Sequence, residues 1–112
     1  KVLLIVPAWR KLKDETKTIF PPLNLATVAA LTPPGIEVRI LDESFGDIDF
    51  GISISMPGGL GRHHRLNGGV APRAYAIADE FRACVVPVVM GGMHASAVPE
   101  EALAHVDAVF LL

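Results

Sequence analysis

Three apolar runs of this sequence end in small or hydroxyl-bearing residues, and such ends are places where a ligand can bind. The residues concerned are Pro7, Ala8 and Trp9 after the first run, Ser53, Ser55 and Met56 at the end of the second, and Gly91, Gly92, Met93 and His94 after the third. In open α/β sheets, ligands bind just beyond the carboxyl ends of the strands. Glycine lets the backbone approach a bulky planar group, and serine hydroxyls can hydrogen-bond an aromatic nitrogen or a ribose-type oxygen. The pattern predicts a cradle for a cofactor rather than a catalytic centre.

The composition is that of one globular domain over residues 1–112. Hydrophobic residues make up 51% of the chain and the formal net charge is −2, which excludes a disordered segment and a nucleic-acid binder that relies on basic charge. One cysteine, Cys84, excludes an internal disulfide framework and a multi-cysteine metal site, and it is typical of a reducing cytoplasm. No apolar run approaches the roughly 20 residues of a membrane span.

Five apolar runs predict a parallel sheet that is covered by helices. The runs are continuous rather than alternating, as in strands that are buried on both faces. They cover residues 2–6, 38–41, 51–56, 85–90 and 108–112. Between them, the patterns predict helices over residues 23–31, from about residue 72 to Cys84, and from Pro99 onward. This order predicts an α/β fold, a Rossmann-like or flavodoxin-like doubly wound sheet of five parallel strands in the order 2-1-3-4-5.

The predicted helices differ in character. The helix over residues 23–31 lies between prolines and is nearly all apolar, so we expect it to pack closely on the sheet. The second helix carries one apolar stripe, formed by Ala74, Ile77, Ala78 and Phe81. Only residues 43–50 separate the second strand from the third, which is too short for a crossover helix. Either an extended crossing or residues missing from the chain accounts for this link.

Several polar residues admit a chemical interpretation, and for each the sequence favours a structural one. His63 and His64 are adjacent, whereas zinc ligands are usually several residues apart, so we expect them in a solvated loop. His105 lies near a helix end and is expected at the surface or as a C-terminal cap. Asp42 and Glu43 end the second strand, but the first turn lacks the glycine fingerprint of NAD binders, so a solvated strand end is predicted.

The ordered series of segments resembles the cobalamin (B12)-binding domain of B12-dependent radical SAM enzymes. The resemblance rests on residues 2–7, 20–26, 37–43, 51–56, 71–75, 86–94 and 99–103, and it covers most of the chain except residues 57–70. The Gly-Gly-Met-His run that begins at Gly91 and the Pro-Pro-Leu run that begins at Pro21 are among the matching motifs.

This resemblance implies a Rossmann-like fold that holds cobalamin with its nucleotide tail buried at the sheet edge. Ser53 and Ser55 would line the tail pocket, and Gly91 and Gly92 would let the tail pass. His94 would sit beside the corrin, together with the turn of residues 7–9. Met56 and Met93 complete the predicted cofactor-binding set. Trp9 within that turn either stacks on the corrin or covers the core.

The sequence departs from the wider cobalamin-binding pattern at three places. No Asp-x-His-x-x-Gly motif follows the first strand, so a histidine ligand to cobalt is not expected. Asn24 replaces the glycine that is usual after Pro-Pro-Leu, and residues 57–70 form a longer loop than the pattern has. No metal ligand is therefore predicted within the chain.

The resemblance also implies a partner, a radical SAM domain in the same parent chain that binds S-adenosylmethionine and a 4Fe-4S cluster. With one cysteine, this chain cannot supply the three-cysteine motif of that cluster. The chain opens at Lys1 and closes at residues 109–112 within strand-like runs, so we expect the catalytic domain beyond Leu112. The parent would be a methyltransferase or a cyclase, and this chain alone is expected not to be catalytic.

Two other functions use the same architecture. A receiver-like signalling domain needs a phosphoacceptor aspartate after the third strand, where Ser55 and Met56 stand, and an acidic pair after the first, where Pro7 and Ala8 stand. A flavin or nucleotide binder would carry a phosphate loop rich in serine and threonine after Val6, and the sequence has none there. Both alternatives therefore lack the residues that their chemistry uses.

Overall fold

A computed structural model describes residues 1–8, 22–46, 48–49 and 70–111. These residues belong to two compact units, Lys1–Ile48 and Asp49–Leu112. Each unit combines helices with a pair of parallel strands, which confirms the predicted α/β class. In the ranges given above, no helix is long and apolar enough to cross a lipid bilayer.

The first unit is built on two parallel strands, β1 (Val2–Val6) and β2 (Val38–Asp42). Their register places Val2 opposite Val38 and Val6 opposite Asp42. The predicted adjacency of the first two strands is therefore confirmed, with bounds that differ by one residue at the end of β2. After β2 the chain turns at residues 43–46, where the N–H groups of Phe45 and Gly46 donate to the carbonyls of Asp42 and Glu43.

Helix α1 (Leu23–Leu31) has the bounds that its flanking prolines predict. Pro22 precedes it, and the Pro22 carbonyl accepts a 3.0 Å hydrogen bond from the N–H of Ala26. Thr32 is extended because Pro33 follows it and disfavours helical backbone at the preceding residue. α1 lies against β2, but Leu23, Val28 and Leu31 stay exposed, so the expected close burial is not found within the described part of this unit.

The described part of the second unit, residues 49 and 70–111, contains three helices and two strands. In chain order these are α2 (Val70–Ala83), β3 (Val89–Gly91), α3 (Met93–Ala97), α4 (Pro99–Leu103) and β4 (Ala108–Phe110). β3 and β4 are parallel, with Val89 opposite Ala108 and Gly91 opposite Phe110. This confirms the predicted adjacency of the fourth and fifth strands. The predicted third strand, residues 51–56, lies outside the described residues.

The core of the second unit forms where α2 packs its apolar face. Three of the four predicted stripe residues are buried, namely Ile77, Ala78 and Phe81. Ala74 is only half-buried, and the fully packed position next to it is taken by Tyr75. α2 begins at Val70, two residues before the predicted start. From the short helices and the segment that follows them, the core receives Ala95, Ala102 and Val106.

α3 was not predicted, and it places the residues after Gly92 in a helix rather than in an open loop. It is only five residues long, which is too short for an apolar periodicity to show. Val98, whose backbone is not helical, separates it from α4, which begins at Pro99 as predicted. Glu100 and Glu101 lie in the first turn of α4, where negative charge is favourable.

Asp107 sets the register of β3 and β4 just before both strands begin. Its Oδ2 accepts a 2.7 Å hydrogen bond from the N–H of Val88, and its own N–H donates to the Val88 carbonyl at 2.9 Å. Nε of Arg82 lies 3.5 Å from the other carboxylate oxygen, Oδ1. One residue therefore connects α2, β3 and β4.

α2 ends in a Schellman motif whose left-handed position holds a β-branched residue. The N–H of Val86 donates to the Phe81 carbonyl at 3.1 Å, and the N–H of Val85 donates to the Arg82 carbonyl at 2.9 Å. Val85 has a φ of 60°, in the region that this motif usually gives to glycine. Its side chain is 89% exposed, so no packing compensates for the conformation.

Candidate functional site

The carboxyl end of β3 carries two exposed glycines, Gly91 and Gly92. A Cβ placed on Gly91 would meet the Phe110 Cβ at 3.5 Å and the Phe110 carbonyl oxygen at 3.8 Å, which are ordinary contacts. A Cβ placed on Gly92 would meet no atom within 4 Å. The space beside Gly92 is open, whereas the Cβ direction of Gly91 faces Phe110.

The two glycines have different reasons to be glycine. Gly92 has a φ of 110° and immediately precedes α3, so its backbone takes a conformation that side chains with a Cβ rarely adopt. Gly91 lies in β3 and needs no such conformation. The positive φ of Gly92 explains why this position is glycine. No such backbone requirement explains the glycine at Gly91, so Gly91 is the better indicator of a neighbouring ligand.

Exposed apolar side chains flank these two glycines. Phe110, opposite Gly91 in the sheet, is 72% exposed, and Met93, which follows Gly92, is 84% exposed. Leu111 is exposed as well. Covering one such side chain with a ligand contributes on the order of 1.5–3 kcal/mol, so together they favour a large ligand with an apolar face.

In the first unit, the corresponding strand ends are joined by a hydrogen bond. Ala8, which follows β1 and Pro7, donates its backbone N–H to Oε2 of Glu43 at 2.9 Å. The N–H of Glu43 donates to the Val6 carbonyl at 3.0 Å. The predicted solvated strand end is therefore wrong for Glu43, which is half-buried. Asp42 is half-buried as well, but its carboxylate is at an exposed position, where it accepts a hydrogen bond from the N–H of Ser44.

His94 lies within a small polar cluster rather than alone. Its Nε2 is 3.0 Å from the hydroxyl oxygen of Tyr75 and 3.5 Å from Oε1 of Glu101. Tyr75 is 7% exposed, and burial raises its pKa. The nearby Glu101 carboxylate, which hydrogen-bonds the phenol, raises that pKa further. The phenol is therefore held in its protonated, hydrogen-bonding form.

His105 belongs to the same cluster, and it keeps a third of its side chain exposed, so the predicted surface position holds while its ring contact was not predicted. Its ring stacks on that of Tyr75, with centroids 4.4 Å apart and an interplanar angle of 12°. Its Nδ1 lies 2.9 Å from Oδ2 of Asp79. The residues are 30 and 26 positions apart in the chain, so no local pattern could reveal them. Tyr75 is thus enclosed by His105 on its face and by His94 at its hydroxyl.

The structure places six of the ten predicted site residues. Pro7 and Ala8 follow β1 in the first unit, and Gly91, Gly92, Met93 and His94 are consecutive in the second. Trp9, Ser53, Ser55 and Met56 lie outside the described residues, and so do His63 and His64.

Within the described residues, no group of three or more histidine, cysteine or acidic side chains could hold a metal ion. Cys84 is a free, half-buried thiol in the turn after α2. The exposed backbone at Gly91 and its apolar neighbours Met93 and Phe110 fit a large planar group that binds by contact.

Comparison with curated proteins finds similarity to bacteriochlorophyllide d C-8(2)-methyltransferase of Chlorobaculum tepidum. The two sequences are 42% identical over 88 residues, which cover 78% of this chain and 18% of the relative. The chain thus spans less than a fifth of that relative's length. No protein-family model matches the chain, and no solved structure matches it. Over most of its length, this chain is similar to one segment of a methyltransferase.

Proposed function

We propose that this chain is the cobalamin-binding module of a B12-dependent radical SAM methyltransferase, with the corrin held at the carboxyl edge of the sheet. The observation that carries the proposal is the 42% identity with bacteriochlorophyllide d C-8(2)-methyltransferase over 78% of the chain. The resemblance of the ordered sequence segments to cobalamin-binding domains supports the same function. The exposed strand end at Gly91 supports it from the structure.

The proposal includes a complete sheet of five parallel strands in the order 2-1-3-4-5. The described pair β1 and β2 corresponds to the first and second predicted strands, which are neighbours at one side of this order. The described pair β3 and β4 corresponds to the fourth and fifth predicted strands, which are neighbours at the other side. Residues 51–56 would form the central strand between β1 and β3. Their carboxyl end would then bring Ser53 and Ser55 to the same edge as Gly91.

Several residues would hold the cofactor by contact and hydrogen bonding. The backbone at Gly91 would lie against the macrocycle, and the exposed side chains of Met93 and Phe110 would cover its apolar edge. Ser53 and Ser55 would hydrogen-bond the nucleotide tail. Cobalamin, when bound, supplies a cobalt centre that can carry a methyl group. The chain's own part is to bind the corrin, orient it and exclude water from its edge.

The parent protein would carry the catalytic half. We propose a radical SAM domain in the same chain, with S-adenosylmethionine and a 4Fe-4S cluster, in the cytoplasm. The name of the relative favours methyl transfer over cyclisation and suggests a tetrapyrrole of the bacteriochlorophyllide type as the substrate. This module alone would not be catalytic.

The direct test is retention of the cofactor. The purified chain is mixed with hydroxocobalamin, desalted, and examined by visible absorbance, with flavin mononucleotide in a parallel sample. We expect corrin absorbance to remain with the protein in about equimolar amount and the flavin to be lost. Loss of the corrin, or retention of the flavin alone, would contradict the proposal and favour a flavin-binding domain.

A matched pair of variants tests the site itself. Gly91→Leu adds bulk at the exposed strand end, whereas Ala83→Leu adds the same side chain at an exposed position of α2. We expect Gly91→Leu to weaken hydroxocobalamin retention at least tenfold and Ala83→Leu to leave it unchanged, with thermal unfolding near that of the parent chain in both. Equal retention by the two variants would mean that the corrin does not lie against Gly91.

A further inference from the structure

His94 is held through one of its two ring nitrogens. Nε2 lies 3.0 Å from the Tyr75 hydroxyl oxygen and 3.5 Å from Oε1 of Glu101. The ring also approaches that of Tyr75 at a centroid distance of 5.9 Å. Nδ1 has no partner among the described residues, and the side chain is 51% exposed. The free nitrogen therefore belongs to a side chain that solvent or a ligand can reach.

The chemistry of the partners assigns the protons. Nε2 faces two oxygens, and one of them, Oε1 of Glu101 at 3.5 Å, belongs to a carboxylate, which accepts but cannot donate. A proton on Nε2 suits both neighbours, because the phenol oxygen at 3.0 Å can accept it and a lone pair on Nε2 would face the carboxylate. A neutral imidazole with its proton on Nε2 carries a lone pair on Nδ1. The network thus selects one tautomer of His94.

This arrangement is held from several sides. Tyr75 is almost fully buried in α2, and its ring is stacked on His105, which Asp79 holds through Nδ1. Glu101 comes from α4 and His94 from α3. Because the phenol has little room to turn, its hydroxyl keeps its position at Nε2.

We propose that Tyr75 and Glu101 are positioning residues that keep His94 as the Nε2–H tautomer, so that its Nδ1 accepts a hydrogen bond from an amide N–H of the bound cofactor. The identity of the ligand rests on the proposed function, whereas the tautomer rests on the described contacts alone. His94 follows Gly92 by two residues and lies in the first turn of α3, next to the proposed binding edge. In metal-binding histidines, a hydrogen bond at one ring nitrogen likewise fixes the tautomer and the orientation of the ring.

The tautomer can be measured without any ligand. Nitrogen NMR of a chain with labelled histidines distinguishes the two tautomers at about pH 8, above the ordinary pKa of histidine. The signal of His94 is assigned from its loss in His94→Gln. We expect mainly Nε2–H in the parent chain and a mixture in Tyr75→Phe, which keeps the ring but removes the hydroxyl.

Because Tyr75→Phe could disturb the packing of α2, a second variant and a control are placed in α4. Glu101→Gln changes an exposed carboxylate in the cluster, and it should also shift the His94 tautomer towards a mixture. Glu100→Gln removes the neighbouring exposed carboxylate, and the tautomer should stay as in the parent chain. A dominant Nδ1–H form in the parent chain, or the same tautomer ratio in Tyr75→Phe, would overturn the positioning role.

The ligand part is read from the same signal after loading with hydroxocobalamin. We expect the Nδ1 resonance of His94 to shift on loading, and Tyr75→Phe to weaken cobalamin binding about three- to tenfold, as for loss of one hydrogen bond. Binding of cobalamin with an unchanged Nδ1 resonance would overturn the ligand contact while the proposed function stands. If the chain retains no cobalamin, the proposed function and this contact fail together, and the tautomer still decides the role of Tyr75.

Discussion

The backbone N–H of Ala8 donates a 2.9 Å hydrogen bond to Oε2 of Glu43, so the segment after β1 is tied to the end of β2. The bond is partly buried and its acceptor is charged, which makes it stronger than a neutral bond. We expect Glu43→Ala to lower the free energy of unfolding by about 1–2 kcal/mol, measured by urea denaturation.

Glu43→Gln is the matched control, because its amide oxygen can still accept from Ala8. It should cost less than Glu43→Ala. If the two variants are equally stable, the contact with the Ala8 N–H contributes nothing and Glu43 acts only through its charge.

The two glycines after β3 should differ in their response to alanine. Gly92 has a φ of 110°, so Gly92→Ala is strained and should cost about 1–3 kcal/mol of unfolding free energy. In Gly91→Ala the new methyl group meets Phe110 at an ordinary distance, and the change should stay within about 0.5 kcal/mol. Thermal or urea unfolding measures both, and a larger loss for Gly91→Ala would contradict the backbone argument.

Tyr75 should make the fold sensitive to alkali. Its pKa is raised in the folded protein, so its contribution to stability is fully present below the unfolded value of about 10 and is lost as the pH rises through the folded pKa. The chain contains one tyrosine, so near-ultraviolet absorbance follows the ionisation of Tyr75 alone.

We expect this absorbance to titrate above the pH of a free tyrosine, with stability falling over the same interval. Tyr75→Phe should remove that part of the pH dependence. A titration at or below the free value would show that the phenol is not enclosed as described.

Val85 offers a stabilising substitution. It occupies the left-handed position of the Schellman motif that ends α2, and its side chain is exposed. Val85→Gly should therefore raise the free energy of unfolding by about 1 kcal/mol, because glycine adopts the left-handed conformation without strain. This gain is larger than the extra entropy that a glycine loses when the chain folds. Val85→Ala keeps a Cβ and should gain less, and a loss of stability in the glycine variant would contradict the assignment.

Local signals in the sequence account for the helices that have clear ends and for the parallel strands. The prolines around α1 predict both of its ends, and the continuous apolar runs predict the two parallel pairs. α3 was missed because a five-residue helix after a glycine in positive φ has no periodicity of its own. Apolar character alone also overestimated the burial of α1, since Leu31 remains exposed.

The residues at the strand ends could be named from the sequence, and the side-chain contacts around them within each unit could not. Ala8 and Glu43 are 35 residues apart, and His105 and Asp79 are 26 apart. Such pairs depend on how elements pack, which a single sequence does not state. All ten cofactor-binding residues remain predictions, and four of them, Trp9, Ser53, Ser55 and Met56, also lie outside the described residues.

The double link between Val88 and Asp107 has a consequence for the shape of the candidate site. If β4 slipped by one residue along β3, the main-chain bond and the carboxylate bond would both break. The strands are only three residues long and have few other ladder bonds to resist such a shift. Asp107, which precedes both strands, therefore fixes the register that places Phe110 opposite Gly91 at the other end of the pair.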